Sequence, residues 1–484
     1  MKRLSMATAA GLLPYDRSKV TAGMVHLGVG AFHRAHVAAY VDSVLSQDPS
    51  WGIIGVSLRR PDTRAALLDQ DFLYTLAIRS AEGTRTRFIG SLLDVLDANT
   101  QREAVLAAMA DPGVRIVSLT VTEKGYCHDP ATGELDATQP DVRHDLDHPE
   151  SPVSAPGLIV RALELRKAKG IPPFTVLSCD NLPANGHTTR RIVTRFASLR
   201  NAELGNFIRE HVGFPSTMVD RIVPATTDDD RKDVASLTGL DDAWPVVTEP
   251  FQQWVVEDHF TQGRPALETA GVEFVKDVAP FELMKLRMLN GSHSTLAYLG
   301  YLAGHQYVSE AIAQPAFRSL ISALMTEDVM PTLPMERSSL VQYRDALLDR
   351  FSNPALRHRT WQIAMDGSQK LPQRLLGTIR DRLKGGHSVT RISLGVAAWM
   401  RYVTGIDEQG QPIDVRDPLA ARLRGIADAA NKDPARLVDG LLKVREIFGD
   451  DLPASAPFRA ALHAHVQSLL ETGSQRTVEN IIQA

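Results

Sequence analysis

A chain of 484 residues is too long for one ordinary hydrophobic core and argues for two domains. It is 44% hydrophobic and 23% charged, with a formal net charge of −4 and no long basic run, which argues against a nucleic-acid or membrane-surface partner. Cys127 and Cys179 are isolated and lack metal-ligand spacing, no apolar run is long enough to span a bilayer, and residues 1–13 read as a ragged start rather than a signal peptide, so a cytoplasmic location is expected.

Residues 23–27 read as a buried strand, followed by Gly28-Val29-Gly30-Ala31-Phe32-His33 and a helical stretch to about residue 45. Strand, glycine turn and helix form the context a dinucleotide pyrophosphate needs, with the backbone close to the phosphates and a helix N-terminus facing them. His33 stands where the usual pattern has a third glycine, and a plain tight turn also fits the first two. A second strand, 51–57, is followed by Asp62, the candidate for the adenosine ribose hydroxyls of NAD. Arg59 and Arg60 offer a 2′-phosphate partner instead, which leaves NADP open, or are solvated surface charges.

A third strand, 115–121, ends in Thr122 and Glu123, placed to line a cleft beyond the carboxyl end of the sheet. A helix over 156–169 and a strand over 173–178 lead to Asn181, a binding residue or a cap, and a helix begins at Asn185-Gly186. Strand 218–223 carries Asp220 beside Arg221, which also suits a buried structural ion pair. Added β segments are expected at 244–258 and 272–276. This alternation argues for a doubly wound parallel sheet.

From Pro280 the periodicity turns helical. Residues 280–304 read as one buried helix, apolar on nearly all sides, yet it carries Lys285, Asn290 and His293. At roughly 100° per residue these fall near roughly 0°, 140° and 80°, on one face. A satisfied polar seam would look alike, but the set also suits an active site that moves a proton on and off an oxygen. Further helices are expected at 309–326, 340–350, 358–365, 373–384, 389–404, 418–431 and 434–448. Residues 357–374 are dense in cations and amides, among them Arg357, Arg359, Gln362 and Lys370. That density suits either an ordinary charged surface or a site for a polyhydroxylated anion, since arginine forks match carboxylates and amides match hydroxyls.

Together, segments 26–36, 118–127, 178–183, 218–222 and 285–293 resemble the long-chain polyol dehydrogenases, the family of mannitol 2-dehydrogenases and fructuronate reductases. Residues 350–374 look more like the fructuronate (D-mannonate) enzymes, with Gln362 where the mannitol enzymes are expected to have arginine, whereas 241–247 look more like the mannitol enzymes. The resemblance implies an α/β, Rossmann-type doubly wound NAD-binding domain over 1–279 and a mostly α-helical substrate and catalytic domain over 280–484. It implies metal-independent chemistry with NAD, bound through Gly28, Gly30, Ala31, Phe32, Asp62, Thr122 and Glu123. Pro61 replaces a second acidic residue seen in some relatives. By the same resemblance Lys285 is the general acid/base, Asn181 and Asn290 hold the reacting oxygen, and His293 orients the substrate. Asp220, Gln362 and Lys370 contact it, and Glu282 lies on a proton exit path.

The expected reaction is reversible reduction of D-fructuronate to D-mannonate. Two amide donors at a carbonyl oxygen stabilise developing charge by on the order of 3 kcal/mol each. A buried lysine beside an imidazole should have its free pKa of about 10 lowered into a working range. The rival is a neutral-polyol dehydrogenase acting on mannitol and fructose; a remote one is an NAD-binding sensor without turnover. The protein should work as a monomer or small homo-oligomer on a small sugar acid or polyol.

Overall fold

The computed structural model of the protein describes residues 1–129 and 132–483. The chain divides into two compact units, Met1–Ala279 and Pro280–Ala484. Among the described residues no helix is long and apolar enough to cross a membrane.

In the first unit, β1 (Ala22–Leu27), β2 (Gly52–Ser57), β3 (Leu92–Asp97), β4 (Ile116–Leu119) and β5 (Thr175–Ser178) form a parallel sheet in the order β3-β2-β1-β4-β5. The order reverses direction at β1, so the carboxyl ends of β1 and β4 flank the switch point where doubly wound sheets hold their ligands. Apolar clusters cover both faces. One is built on Val25, Leu27, Val117 and Val176 with Leu158 and Ile192; the other is built on Met24, Ile53 and Ile116 with Tyr40, Val41 and Trp254. Burial on both faces explains why these strands read as continuous apolar runs.

Strand β3 and the antiparallel hairpin of Tyr74–Ser80 with Gly83–Ile89 were not anticipated from the sequence. The hairpin strands carry Arg79, Arg85 and Arg87, and β3 carries Asp94 and Asp97, so neither reads as an apolar run. The expected 244–258 segment resolves into Val246–Thr248 and Gln253–Glu257, the latter antiparallel to Thr217–Asp220.

The second unit is helical. The expected helix at 280–304 is present as three joined pieces, Ala279–Met284, Lys285–Asn290 and Gly291–Leu302. The middle piece is a π-helix, in which backbone bonds run from each residue to the fifth one on. Two more π segments occur, at Leu324–Val329 and Pro372–Leu376. The C-terminal helix Ala456–Gln483, kinked at Gly473, was also not anticipated. It packs on Thr390–Tyr402, which in turn lies against Gly291–Leu302 so closely that a Cβ on Gly395 would come 2.4 Å from Thr295 Oγ1.

Candidate active site

The residues the sequence singled out fall in two groups, one on each unit.

On the first unit, Gly28 ends β1 with φ +94°, and a Cβ there would lie 2.2 Å from the Thr120 carbonyl oxygen. Both the backbone conformation and the close approach therefore require glycine. Gly30 caps the short helix Ala31–Ala35, and a Cβ on it would meet no atom within 4 Å. The space beside Gly30 is thus open, as a pyrophosphate lying against backbone amides requires. Phe32 stacks on His36 with ring centroids 4.9 Å apart. His33, at the position of the missing third glycine, is buried and stacks on His26 of β1 at 3.6 Å. A ring stack thus provides the helix–strand contact that a glycine usually permits by its small size. His26 is fixed by Ser118 and Thr120 hydroxyls, each 2.8 Å from a ring nitrogen.

Asp62 opens the helix Asp62–Leu68 after β2, and its side chain is exposed, as are Arg59 and Arg60. The neighbouring Thr63 hydroxyl donates to the Val29 carbonyl at 3.2 Å, which joins this loop to the glycine turn. Thr122 and Glu123 are exposed in a short turn of helix, with Thr122 at φ +63°. A non-glycine residue held there is strained, a feature that clusters at functional sites.

Asp180 holds this turn. Its carboxylate accepts from the Val121 amide at 2.9 Å, the Thr122 amide at 3.0 Å and the Tyr126 hydroxyl at 2.7 Å. Burial is the main influence on Asp180 and raises its pKa. Asn185 anchors the other side of the same loop. Its amide donates to the Asp180 and Thr217 carbonyls at 3.0 and 2.9 Å and accepts from the Thr217 amide at 2.9 Å. Between them stands Asn181, whose side chain is exposed. Sequence reasoning singled out Asn181 but missed Asp180 and Asn185, which position it.

Asp220 ends strand Thr217–Asp220 and is buried. The guanidinium of Arg221 is taken up by the carbonyls of Ala35 at 2.5 Å and Glu249 at 3.1 Å and by the Gln252 side chain at 3.0 Å. The ion pair with Asp220 that the sequence suggested is not among these bonds.

On the second unit, Lys285 and Asn290 are the first and last residues of the π segment. The straight α-helical spacing used on the sequence does not hold across it. The i→i+5 pattern instead makes residues five apart neighbours along the helix axis, which brings Asn290 under Lys285. His293 follows in the α-helical piece, three residues on from Asn290 and so on the adjoining surface. Lys285 and His293 are buried, and Glu282 and Asn290 are partly exposed. Arg287, on the same segment, is tied away by Thr332 Oγ1 at 2.8 Å and Asp381 at 2.7 Å.

His293 stacks on Phe351 at 5.1 Å and meets His358 edge-on at 4.7 Å. Its Nε2 has no hydrogen-bond partner. Burial first, and then unfavourable electrostatic coupling to His358, Arg374, Arg350 and Lys370, holds its pKa well below the usual value, so the ring is neutral at pH 7. Arg350 and Arg374 are therefore neighbours of this site that the sequence reading did not name.

Of the expected cation-rich residues, Arg357 and Arg359 have exposed side chains, as does Gln362, while His358 between the two arginines turns inward onto His293. Arg357 itself sits in a left-handed turn at φ 45°. Lys370 is partly buried, donates to the Met365 carbonyl at 2.5 Å and lies 3.9 Å from Asp366.

A dinucleotide-type glycine turn at the switch point of a doubly wound sheet, and a buried lysine and imidazole with a partly exposed amide on a separate helical unit, define a two-domain dehydrogenase. Residues 22–269 match the family model "Mannitol dehydrogenase Rossmann domain" and residues 277–470 match "Mannitol dehydrogenase C-terminal domain". The chain belongs to the mannitol dehydrogenase family. It is 49% identical to the D-mannonate oxidoreductase of Escherichia coli, with 96% of each chain covered. It is 48% identical to the uncharacterized oxidoreductase YeiQ of the same organism, over 97% of this chain and 96% of the relative. Among solved structures, mannitol 2-dehydrogenase of Pseudomonas fluorescens, determined as a ternary complex with NAD and D-mannitol, is 42% identical, covers 99% of both chains and has a TM-score of 0.87.

Proposed function

We propose that the protein interconverts D-fructuronate and D-mannonate: fructuronate, NADH and a proton give mannonate and NAD. The coarser activity, an NAD-dependent oxidoreductase acting on a CH–OH group, follows from family membership over the whole chain. The finer one rests on the charge around His293, where Arg350, Arg374 and Lys370 all lie close enough to bear on the ring. A carboxylate gains charge-assisted hydrogen bonds in such cationic surroundings, and a neutral polyol does not.

The residues present fit NAD: the open face of Gly30, the tight turn at Gly28 and the exposed carboxylate of Asp62 suit its pyrophosphate and ribose. Ala31, Phe32, Thr122 and Glu123 complete the proposed cofactor set. Bound NAD supplies or accepts the hydride. Lys285 gives a proton to the substrate oxygen in reduction and removes it in oxidation, without a metal ion. The side-chain amides of Asn181 and Asn290 donate to that oxygen and stabilise the charge it develops. His293, neutral and with Nε2 uncommitted, hydrogen-bonds a substrate hydroxyl and fixes its orientation. Asp220, Gln362 and Lys370 contact the remaining hydroxyls, Arg357 and Arg359 line the approach, and Glu282 passes the proton from Lys285 to solvent.

The test is NADH oxidation with fructuronate and with fructose side by side, for the natural protein and for Lys285→Ala. Faster turnover of fructuronate, abolished by Lys285→Ala while NADH binding persists, is expected. Turnover of fructose alone would replace this reading with the neutral-polyol one, and an active Lys285→Ala protein would remove the lysine from its role.

A further inference from the structure

The cation that answers a substrate carboxylate is identifiable within the second unit. Arg374 lies in the π segment Pro372–Leu376 and is partly buried. Among the described residues its side-chain hydrogen bond is from Nη1 to the Ser294 hydroxyl at 3.0 Å, a neutral group next to His293. No Asp or Glu forms an ion pair with it among the described residues, and burial pulls its pKa down with only the Tyr298 hydroxyl acting in the other direction. A guanidinium half out of water without a counter-ion carries a cost, and one neutral acceptor uses one of its five N–H donors. Three neighbouring cations of this unit do have carboxylate partners. Arg287 has Asp381, Arg382 has Asp328, and Lys370 has Asp366 and a backbone carbonyl. Arg357 and Arg359, the residues the sequence favoured, are exposed and bear no such cost.

The backbone holds Arg374 in place. A Cβ on Gly291 would lie 2.7 Å from the Arg374 carbonyl oxygen, so only glycine lets the segment approach the helix that carries Asn290 and His293 this closely. The buried His293, with Nε2 unpartnered, is a second polar group turned to this space without a partner.

We infer that Arg374 is the specificity-determining residue of this enzyme: its free guanidinium edge binds the carboxylate of a sugar-acid substrate, with Ser294 fixing the opposite edge. This rests on the sugar-acid reading above and sharpens it to one residue. The guanidinium fork matches a carboxylate in two parallel bonds, which a lysine ammonium does not reproduce.

The measurement is the ratio of kcat/KM for fructuronate to kcat/KM for fructose, in the natural protein, Arg374→Gln and Arg374→Lys, with folding checked by circular dichroism. The expected result is a ratio well above one in the natural protein. It should fall about 100-fold in Arg374→Gln, chiefly through the fructuronate KM, and by an intermediate amount in Arg374→Lys, with fructose turnover little changed. A natural ratio below one overturns the sugar-acid reading itself. A ratio that Arg374→Gln leaves unchanged, or a loss shared equally by both substrates, overturns the role of Arg374 whichever substrate is preferred.

Discussion

Gly28 and Gly30 are two residues apart in one motif, yet they answer to different constraints. Gly28 has a left-handed φ of +94° and a carbonyl 2.2 Å from where a Cβ would stand, so Gly28→Ala should misfold the turn and lower the thermal midpoint. Gly30 has neither constraint, and its neighbourhood is empty out to 4 Å. Gly30→Ala should therefore melt like the natural protein while binding NADH at least about tenfold more weakly, because the added methyl occupies the space the pyrophosphate takes. Fluorescence titration with NADH beside a thermal melt separates the two. Equal NADH affinity in Gly30→Ala would remove the pyrophosphate from this turn. The motif was legible in the sequence because glycine marks its own backbone needs. The role of His33 was not, since nothing in the sequence shows that it stacks on His26, seven residues earlier. The stretch 357–374 was likewise legible as cationic, but not that Arg357 and Arg359 stay exposed while Arg374 reaches Ser294, which only the packing of the helices decides.

Elements tell a similar story. Strands β1, β2, β4 and β5 were readable because both faces are covered and the runs are apolar, whereas β3 and the 74–89 hairpin, with their charged residues, were not. The helix from 279 to 302 was readable in extent and burial, but its π segment was invisible to a count at fixed angular spacing. Gly291, at the junction of the π and α pieces, gives this element a direct test. Alanine has the higher helix propensity, by about 1 kcal/mol. Here a backbone carbonyl stands 2.7 Å from the new methyl, and crowding of that kind costs roughly 1–3 kcal/mol. Backbone cannot rotate away as a side chain can, so the clash should win. Gly291→Ala is expected to lower the urea midpoint and to raise the fructuronate KM by displacing Arg374. An unchanged or higher midpoint would mean that the two π segments do not depend on this close approach.

At the scale of the whole molecule, the two units share a sensitivity to acid. His26 is pushed down to about 3 and His33 well below its usual value in the first unit. In the second, His358 is pushed down to about 4 and His293 well below its usual value. Burial is the main cause in all four, so each is neutral when folded and takes up a proton more readily when unfolded. Below the unfolded value of about 6.5 the unfolded chain therefore binds more protons than the folded one, and stability falls with pH until the folded pKa is reached. For a ring at about 3 or about 4, the loss between pH 7 and about 4.5 is on the order of 2 kcal/mol. With two such rings in each unit the loss is a substantial part of an ordinary domain stability of about 5–15 kcal/mol. The buried carboxyls Asp180 and Asp328 act in the opposite sense, since burial raises their pKa and protonation relieves it. Glu408 acts with them, and His305 and His465 act with the histidines; the carboxyls titrate from a lower starting value, so they temper the fall rather than reverse it. The urea midpoint is expected to be flat above about pH 7 and to drop steadily from about 6.5 to 4.5 in both units. His358→Asn should flatten the second unit's slope while leaving the first unit's unchanged. A midpoint constant over that window would mean that these histidines are not held neutral by the fold, and the neutral His293 on which the proposed substrate orientation depends would fall with it.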